Sequence, residues 1–306
     1  MSSGIRNVGV IGIGLMGSGI AQVAATKGFD TMVVDVTAEI VARGIERIRE
    51  SLQRLAESYQ KSGGKTGIAP EEEAKIIAHI KVSTERRDLL DCDILIEAVV
   101  EEEAAKKNLI SSLADLGYRR LFVSNTSSIS ITRLASSYPL PENFMGMHFM
   151  NPVPIQPGCE LIRGFLTSEE TFRTILEFCR ELGKEPIVAE DKAGFGINRM
   201  FVPFLNEAVK VVEEGIMSCE DADKTTICLG HKMGPITTLD YVGLDTTLAI
   251  AQVLERELGP GYKPADLLCK LVAAGFYGVK NGEGFYRWEQ GKKVRVNPAV
   301  ERYRRR

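Results

Sequence analysis

A chain of 306 residues that is 44% hydrophobic and 26% charged has room for two ordinary domains and the balance of a globular protein, not a disordered one. A net charge of −3 argues against a nucleic-acid binder, and the single basic run, RYRRR (302–306), reads as a short exposed tail. No apolar stretch approaches the ~18 residues of a membrane span, and the opening MSSGIRN lacks the basic and apolar regions of a signal peptide, so a cytosolic protein is expected.

The first predicted element is an apolar strand, NVGVIGIG (7–14), running into G-x-G-x-x-G at Gly12, Gly14 and Gly17, with a helix from about Leu15 to Lys27. Glycines there allow a tight turn, close approach to a pyrophosphate, and close packing of helix on strand. Leu15 and Met16, inside the same loop, are expected to face the cofactor with them. TMVVDV (31–36) is a second apolar strand, closed by Asp35, which lies 18 positions beyond Gly17. A carboxylate there accepts hydrogen bonds from a ribose diol and repels a 2′-phosphate, and no arginine follows it directly. NAD is therefore expected over NADP.

Next comes a long charged helical pair, 38–63 and 70–80, far longer than an ordinary crossover helix and able to reach a large ligand. The GGKTG at 63–67 between them is not a phosphate loop: the first glycine of that pattern would fall on Tyr59, and no strand precedes it. CDILIEAVV (92–100) and RRLFVSNTS (119–127) are unbroken apolar runs, suited to strands of a parallel sheet covered on both faces.

SNTSSIS (124–130) follows the second of these runs, at the strand end where open parallel sheets bind ligands. Ser127 and Ser128 can offer hydroxyls there, although Ser128 or Ser130 can equally cap a helix. NFMGMH (143–148) ends in His148, and Glu160 follows a proline-rich turn. The imidazole is either a core histidine donating to a carbonyl or a base oriented by that carboxylate.

At KEPIVAEDKAGFGINRM (184–200) a last strand gives way to glycines, and everything after about Asn198 reads as helix. The expected organisation is an α/β Rossmann-type parallel-sheet domain with a long helical insertion, 1–192, and an all-helical C-terminal domain, 193–306. The six cysteines show no CxxC pair and no histidine at metal-ligand spacing, so buried thiols and no metal are expected. His79 and His231 read as structural.

The glycine loop, SNTSSIS, HFMNPVP, GFGINR, MGPITTLDYVGLD and GEGFY, in that order, resemble the 3-hydroxyacyl-CoA dehydrogenase family, most of all its short bacterial 3-hydroxybutyryl-CoA dehydrogenases. The resemblance implies NAD-dependent oxidation of an (S)-3-hydroxyacyl-CoA to the 3-ketoacyl-CoA, or the reverse. It casts His148 as general base, Glu160 as its orienting carboxylate, and Ser127 and Asn198 as partners of the substrate oxygen. It places Glu101, Lys106, Ser127, Asn151 and Lys280 at the cofactor, Ser51 at coenzyme A, and implies a homodimer formed through the C-terminal half.

Two departures stand out. A lysine expected on the coenzyme A side is Ser58, for which Lys61 or Lys65 could substitute. Pro157-Gly158 replaces bulkier residues before Glu160, which predicts a leucine-sized space and longer acyl chains. The rival readings are a related hydroxyacid dehydrogenase acting on a sugar acid or carnitine, and a catalytically silent NAD-binding protein. A 3-hydroxyisobutyrate-type enzyme could use Lys192 but would leave His148 and Glu160 unexplained.

Overall fold

A computed structural model describes residues 2–301 and 303, so the terminal basic run lies outside the described residues except for Tyr303. The chain divides into two compact units, Met1–Lys192 and Ala193–Arg306.

The first unit contains, in chain order, β1 (Asn7–Ile11), α1 (Leu15–Thr26), β2 (Asp30–Val34), α2 (Ala38–Lys61), α3 (Glu72–Ala78), β3 (Ile80–Ser83), β4 (Ile94–Glu97) and α4 (Glu103–Asp115). There follow β5 (Leu121–Ser124), α5 (Ile131–Ala135), β6 (Phe144–Phe149), β7 (Gly158–Arg163), α6 (Glu169–Glu181) and β8 (Glu185–Glu190). Its eight strands form one sheet in the order β3-β2-β1-β4-β5-β6-β7-β8. β1 lies between β2 and β4, so the strand order reverses there and opens a crevice at the carboxyl ends of the strands.

The sheet is parallel except between β6 and β7, which run antiparallel. The connection between those two strands is too short for a crossover, so the chain can only turn back on itself. Val8, Val10, Ile94, Ile96, Val123, Met145 and Leu161 fill the core between sheet and helices. The Thr37 side chain caps α2 by accepting from Ile40 N–H at 3.3 Å. The buried residues of this helix, Val41, Gly44, Ile48, Leu52 and Ala56, recur every three or four positions and hold one face against the sheet unit.

The second unit is helical, as expected: α7 (Ile197–Glu213), α8 (Cys219–Cys228), α9 (Pro235–Val242), α10 (Leu244–Leu258), α11 (Asp266–Ala273) and α12 (Pro298–Glu301). It adds an antiparallel hairpin before the last helix, β9 (Tyr286–Glu289) and β10 (Lys292–Val296), which the all-helical expectation omitted. The strands are only four and five residues long and β10 is mostly charged and exposed, so the Tyr286/Trp288 alternation of β9 has no apolar partner strand to mark a hairpin. Gln290 and Gly291, both at positive φ (51° and 75°), make the turn.

Two buried aspartates bind this unit together. Asp240 accepts from Phe285 N–H and Tyr286 N–H at 2.9 Å each and from Trp288 Nε1–H at 2.8 Å. Asp223 accepts from Ile236 N–H at 2.8 Å and Tyr286 O–H at 2.7 Å. Thus MGPITTLDYVGLD and GEGFY, distant in sequence, are two halves of one hydrogen-bonded junction. Burial pushes the Asp240 carboxyl up from 3.8 to about 6, against its hydrogen-bond donors. Because the folded value lies above the unfolded one, this group's contribution is largest below the unfolded value and is lost as pH rises through about 6.

Asp240→Asn, which turns an amide N–H toward existing donors, is expected to lower stability by about 1–3 kcal/mol. The native protein's advantage over the variant should widen as pH falls from neutral through about 6. Denaturant unfolding at a series of pH values checks this, and a gap that stays constant or narrows on acidification refutes it.

Candidate active site

The glycine loop follows β1 directly. Gly12 has φ 88°, and a Cβ there would press on the Ala98 carbonyl at 2.7 Å. A Cβ on Gly17 would collide with the Gly12 carbonyl, whereas one on Gly14 would meet nothing within 4 Å. Gly12 and Gly17 therefore serve the turn and the packing of helix on strand, and Gly14 leaves open space at the start of α1. Beside them Leu15 is exposed and Met16 half-buried. Asp35, just past β2, accepts from Ile13 N–H and from Val36 N–H, each at 2.7 Å, which braces the carboxylate against the loop. Arg47 of α2 donates to Ile13 O at 3.2 Å. These residues fit a dinucleotide, which Gly14 and the N-terminus of α1 would hold by its pyrophosphate.

The serine segment is held by a charge network rooted in β4. Glu97, fully buried, accepts from Lys106 Nζ at 2.6 Å, Ser124 Oγ at 2.5 Å and Val99 N–H at 2.7 Å. The Lys106 ammonium also lies 3.3 Å from Glu101. Glu101 Oε1 accepts from Thr126 Oγ at 2.7 Å, Ser127 N–H at 2.8 Å and Ser127 Oγ at 3.1 Å. Burial alone would push the Glu101 carboxyl up, but the Lys106 charge and the bonds from Thr126 and Ser127 outweigh it and hold it below its ordinary value. The network sets Ser127 at the end of β5.

Asp191 fixes the far side of the same segment, accepting from Ser130 Oγ at 2.7 Å and Thr132 N–H at 2.8 Å. Ser130 caps α5, as its alternative reading held.

His148 is the fifth residue of β6 and pairs in register with Glu160 of the antiparallel β7. Its Nδ1 lies 3.1 Å from Glu160 Oε2; the glutamate is fully buried and the imidazole is 12% exposed. Phe149 N–H donates to Asn125 Oδ1 at 2.9 Å, joining the end of β6 to the serine segment. The hairpin thus brings together a histidine and a carboxylate twelve residues apart, at the strand ends that also carry the glycine loop. Asn151 opens the connection between the two strands, by a cis peptide to Pro152.

Gly158 heads β7, and Ile187 Cδ1 and Met150 Cγ lie 3.4 and 3.8 Å from where its Cβ would stand. The Pro157 carbonyl accepts from Glu185 N–H at 2.8 Å and draws β8 alongside, so part of the expected leucine-sized space is filled.

Ser51 lines a cavity of about 470 Å³ with Arg54 and Ser58 of α2, Thr66, and Pro154 and Ile155 of the proline-rich connection. Lys61 and Lys65 are not part of this wall, and Lys61 instead pairs with Glu57 at 3.7 Å. The cation in the wall is Arg54, one helical turn before Ser58 and missed by sequence reasoning.

In the second unit, Asn198 is the second residue of α7 and Lys280 is ion-paired with Asp245. Cys92, Cys159, Cys179 and Cys219 are buried, whereas Cys228 is exposed and Cys269 half-buried. His79 pairs with Asp30 at 3.2 Å, and His231 stacks on Phe204. Among the described residues no helix is long and apolar enough to cross a membrane, and no group of three His, Cys, Asp or Glu is placed to hold a metal ion.

Sequence reasoning also missed Glu97, Asn125, Thr126 and Asp191. Only Glu97 left a readable signal, a charge inside the apolar run CDILIEAVV, where a buried strand tolerates one only if it is paired.

A glycine loop with a carboxylate closing the second strand, set at the carboxyl ends of a mostly parallel sheet, is the arrangement of a dinucleotide-dependent oxidoreductase. The profile of the 3-hydroxyacyl-CoA dehydrogenase NAD binding domain matches residues 7–192, and that of the family's C-terminal domain matches 194–288. The chain belongs to the 3-hydroxyacyl-CoA dehydrogenase family, with NAD as its cofactor.

It is 45% identical over 283 residues to the probable 3-hydroxybutyryl-CoA dehydrogenase of Deinococcus radiodurans, covering 92% of this chain and 99% of that one. It is 39% identical over 291 residues to the mitochondrial hydroxyacyl-coenzyme A dehydrogenase of Homo sapiens, covering 93% and 92% respectively. The crystal structure of (S)-3-hydroxybutyryl-CoA dehydrogenase from Ralstonia eutropha is similar with a TM-score of 0.86 at 39% identity, over 94% of this chain and 100% of that one.

Proposed function

We propose that this protein interconverts an (S)-3-hydroxyacyl-CoA and its 3-ketoacyl-CoA, with His148 as general acid/base. The observation that carries this reading is the His148–Glu160 pair, 3.1 Å apart and in register across the hairpin. With Nδ1 donating to the carboxylate, Nε2 is the nitrogen that takes the proton of the substrate hydroxyl, and Glu160 stabilises the resulting imidazolium. Ser127 is assigned to the substrate oxygen. Bound NAD supplies the hydride acceptor. Asn198 on the same oxygen, Asn151 and Lys280 at the cofactor, and Lys106 at the cofactor are roles that rest on the family pattern. The buried ion pairs of Lys106 favour a supporting part for it over a surface contact.

Reduction of acetoacetyl-CoA by NADH, followed by loss of NADH absorbance, tests the reaction. Absence of turnover with short- and medium-chain 3-ketoacyl-CoAs refutes it.

The cavity beside Ser51 favours a coenzyme A thioester over a free sugar acid or carnitine, because a hydroxyl- and arginine-lined groove on the inserted helix suits the polar end of coenzyme A. Arg54 there takes the part of the lysine missing at 58. Arg54→Ser is expected to raise KM for acetoacetyl-CoA roughly tenfold or more, the effect of one charge-assisted hydrogen bond. It should leave kcat and the KM for acetoacetyl-pantetheine near native. Equal losses on both substrates would show that Arg54 grips no nucleotide.

A second copy of this chain is the proposed partner. Met200, Phe201, Phe204, Ile227 and Leu229 of the second unit are exposed, and the Phe201, Phe204 and His231 rings stack in series. Such an aromatic patch suits a self-complementary dimer face. Leu229→Asp combined with Phe204→Glu is expected to give a monomer in sedimentation equilibrium. A native monomer, or a variant of unchanged mass, refutes the dimer. Buried thiols such as Cys92, Cys159 and Cys179 fit a reducing cytosolic setting.

A further inference from the structure

Lys184 is 8% exposed, and both of its side-chain hydrogen bonds go to carbonyl oxygens, Val153 O at 2.5 Å and Gln156 O at 2.7 Å. The end of α6 puts it there. Gly183, at φ 71°, turns the chain out of the helix, and the Lys184 side chain passes beneath the connection between β6 and β7. The next residue, Glu185, donates its N–H to Pro157 O at 2.8 Å. Lys184 and Glu185 together therefore hold three carbonyls, those of residues 153, 156 and 157.

The connection they hold touches two places where ligands are proposed to bind. Val153 and Pro154 pack on Gly19 of α1, where a Cβ would meet Val153 Cβ at 2.8 Å and Pro154 Cδ at 3.4 Å. That helix begins at the glycine loop. On the other side Pro152, Pro154 and Ile155 wall the cavity beside Ser51 and Arg54. The His148–Glu160 pair, by contrast, is fixed by the β6–β7 ladder itself.

We propose that Lys184 is a positioning residue that sets the connection 150–157 and through it the binding of both NAD and acyl-CoA, while leaving proton transfer to the hairpin. The proposal rests on the reaction proposed above for its acyl-CoA half only. A buried ammonium spanning two carbonyls fixes their spacing more tightly than a neutral side chain, and without it two buried acceptors must turn away to find donors.

Lys184→Met and Lys184→Gln test this. In Lys184→Met the Kd for NADH, from fluorescence titration without substrate, and the KM for acetoacetyl-CoA are each expected to rise about tenfold. The kcat at saturation should stay within about threefold of native. Lys184→Gln, whose amide still donates, should fall between native and Lys184→Met. Native Kd and KM in Lys184→Met, even with a lowered melting temperature, overturn the proposal, as does a loss confined to kcat. Should Lys184→Met not fold, Lys184→Gln carries the test, and native constants in it overturn the proposal. The NADH titration needs no acyl-CoA, so a native protein that binds NADH but reduces no 3-ketoacyl-CoA would refute the reaction and leave this measurement readable.

Discussion

His148→Gln is expected to lower kcat by about 10²–10⁴-fold, the usual contribution of a positioned general base, with KM for acetoacetyl-CoA and affinity for NADH changed little. Glutamine keeps the size and one donor of the imidazole but cannot accept the hydroxyl proton. Glu160→Gln should lose less, because the base survives. The carboxylate's share is to hold Nδ1–H at 3.1 Å and to stabilise the imidazolium, and an amide does both poorly. Single-turnover and steady-state rates of acetoacetyl-CoA reduction by NADH, compared across the native protein and both variants, would show this. A variant retaining a tenth of native activity would remove His148 from the chemistry.

The parts of this site that were legible in the sequence are those whose requirement is local. Gly12 and Gly17 were legible because each answers to backbone space within one strand-turn-helix unit. Asp35 lies just past β2 and against the glycine loop, as expected, because its distance from the loop is set by one helix and one strand. His148 and Glu160 could be named as a base and its carboxylate from the family resemblance, and the antiparallel register of β6 and β7 is what makes them neighbours.

Lys106 was the hardest to read. The family resemblance places it at the cofactor, and the buried partner that decides its environment, Glu97, lies on a separate element. Arg54 and Lys184 escaped notice for the same reason: the surfaces they serve are made by a connection about a hundred and about thirty residues away in sequence.

The burial of Lys106 leads to the second large effect. Its side chain is 1% exposed and that of Glu97 is wholly buried, so removing the ammonium leaves a carboxylate at the carboxyl end of an interior strand with no counter-charge. Breaking a buried pair from one side costs about 3–5 kcal/mol, far more than the pair's net value. Lys106→Met is therefore expected to lose stability on that scale in denaturant unfolding.

Glu97→Gln placed on the same background should recover a large part of it, since the neutral amide oxygen can still accept from Ser124 Oγ or Val99 N–H. The single variant should also bind NADH more weakly, because Glu101 loses the charge that opposes its desolvation, and Glu101 organises Ser127. The sign of the pH effect follows. A carboxyl held below its unfolded value contributes stability that is present above that value and lost as pH falls through the folded one. In Lys106→Met that contribution should shrink, and the serine segment should loosen at a higher pH than in the native protein. Hydrogen exchange at Ser127 and Ser128 N–H, both of which donate to Glu101, reports on it directly. A Lys106→Met protein within about 1 kcal/mol of native, with protection at those amides unchanged, would mean that the ion-pair network is dispensable and that Ser127 is set by the strand alone.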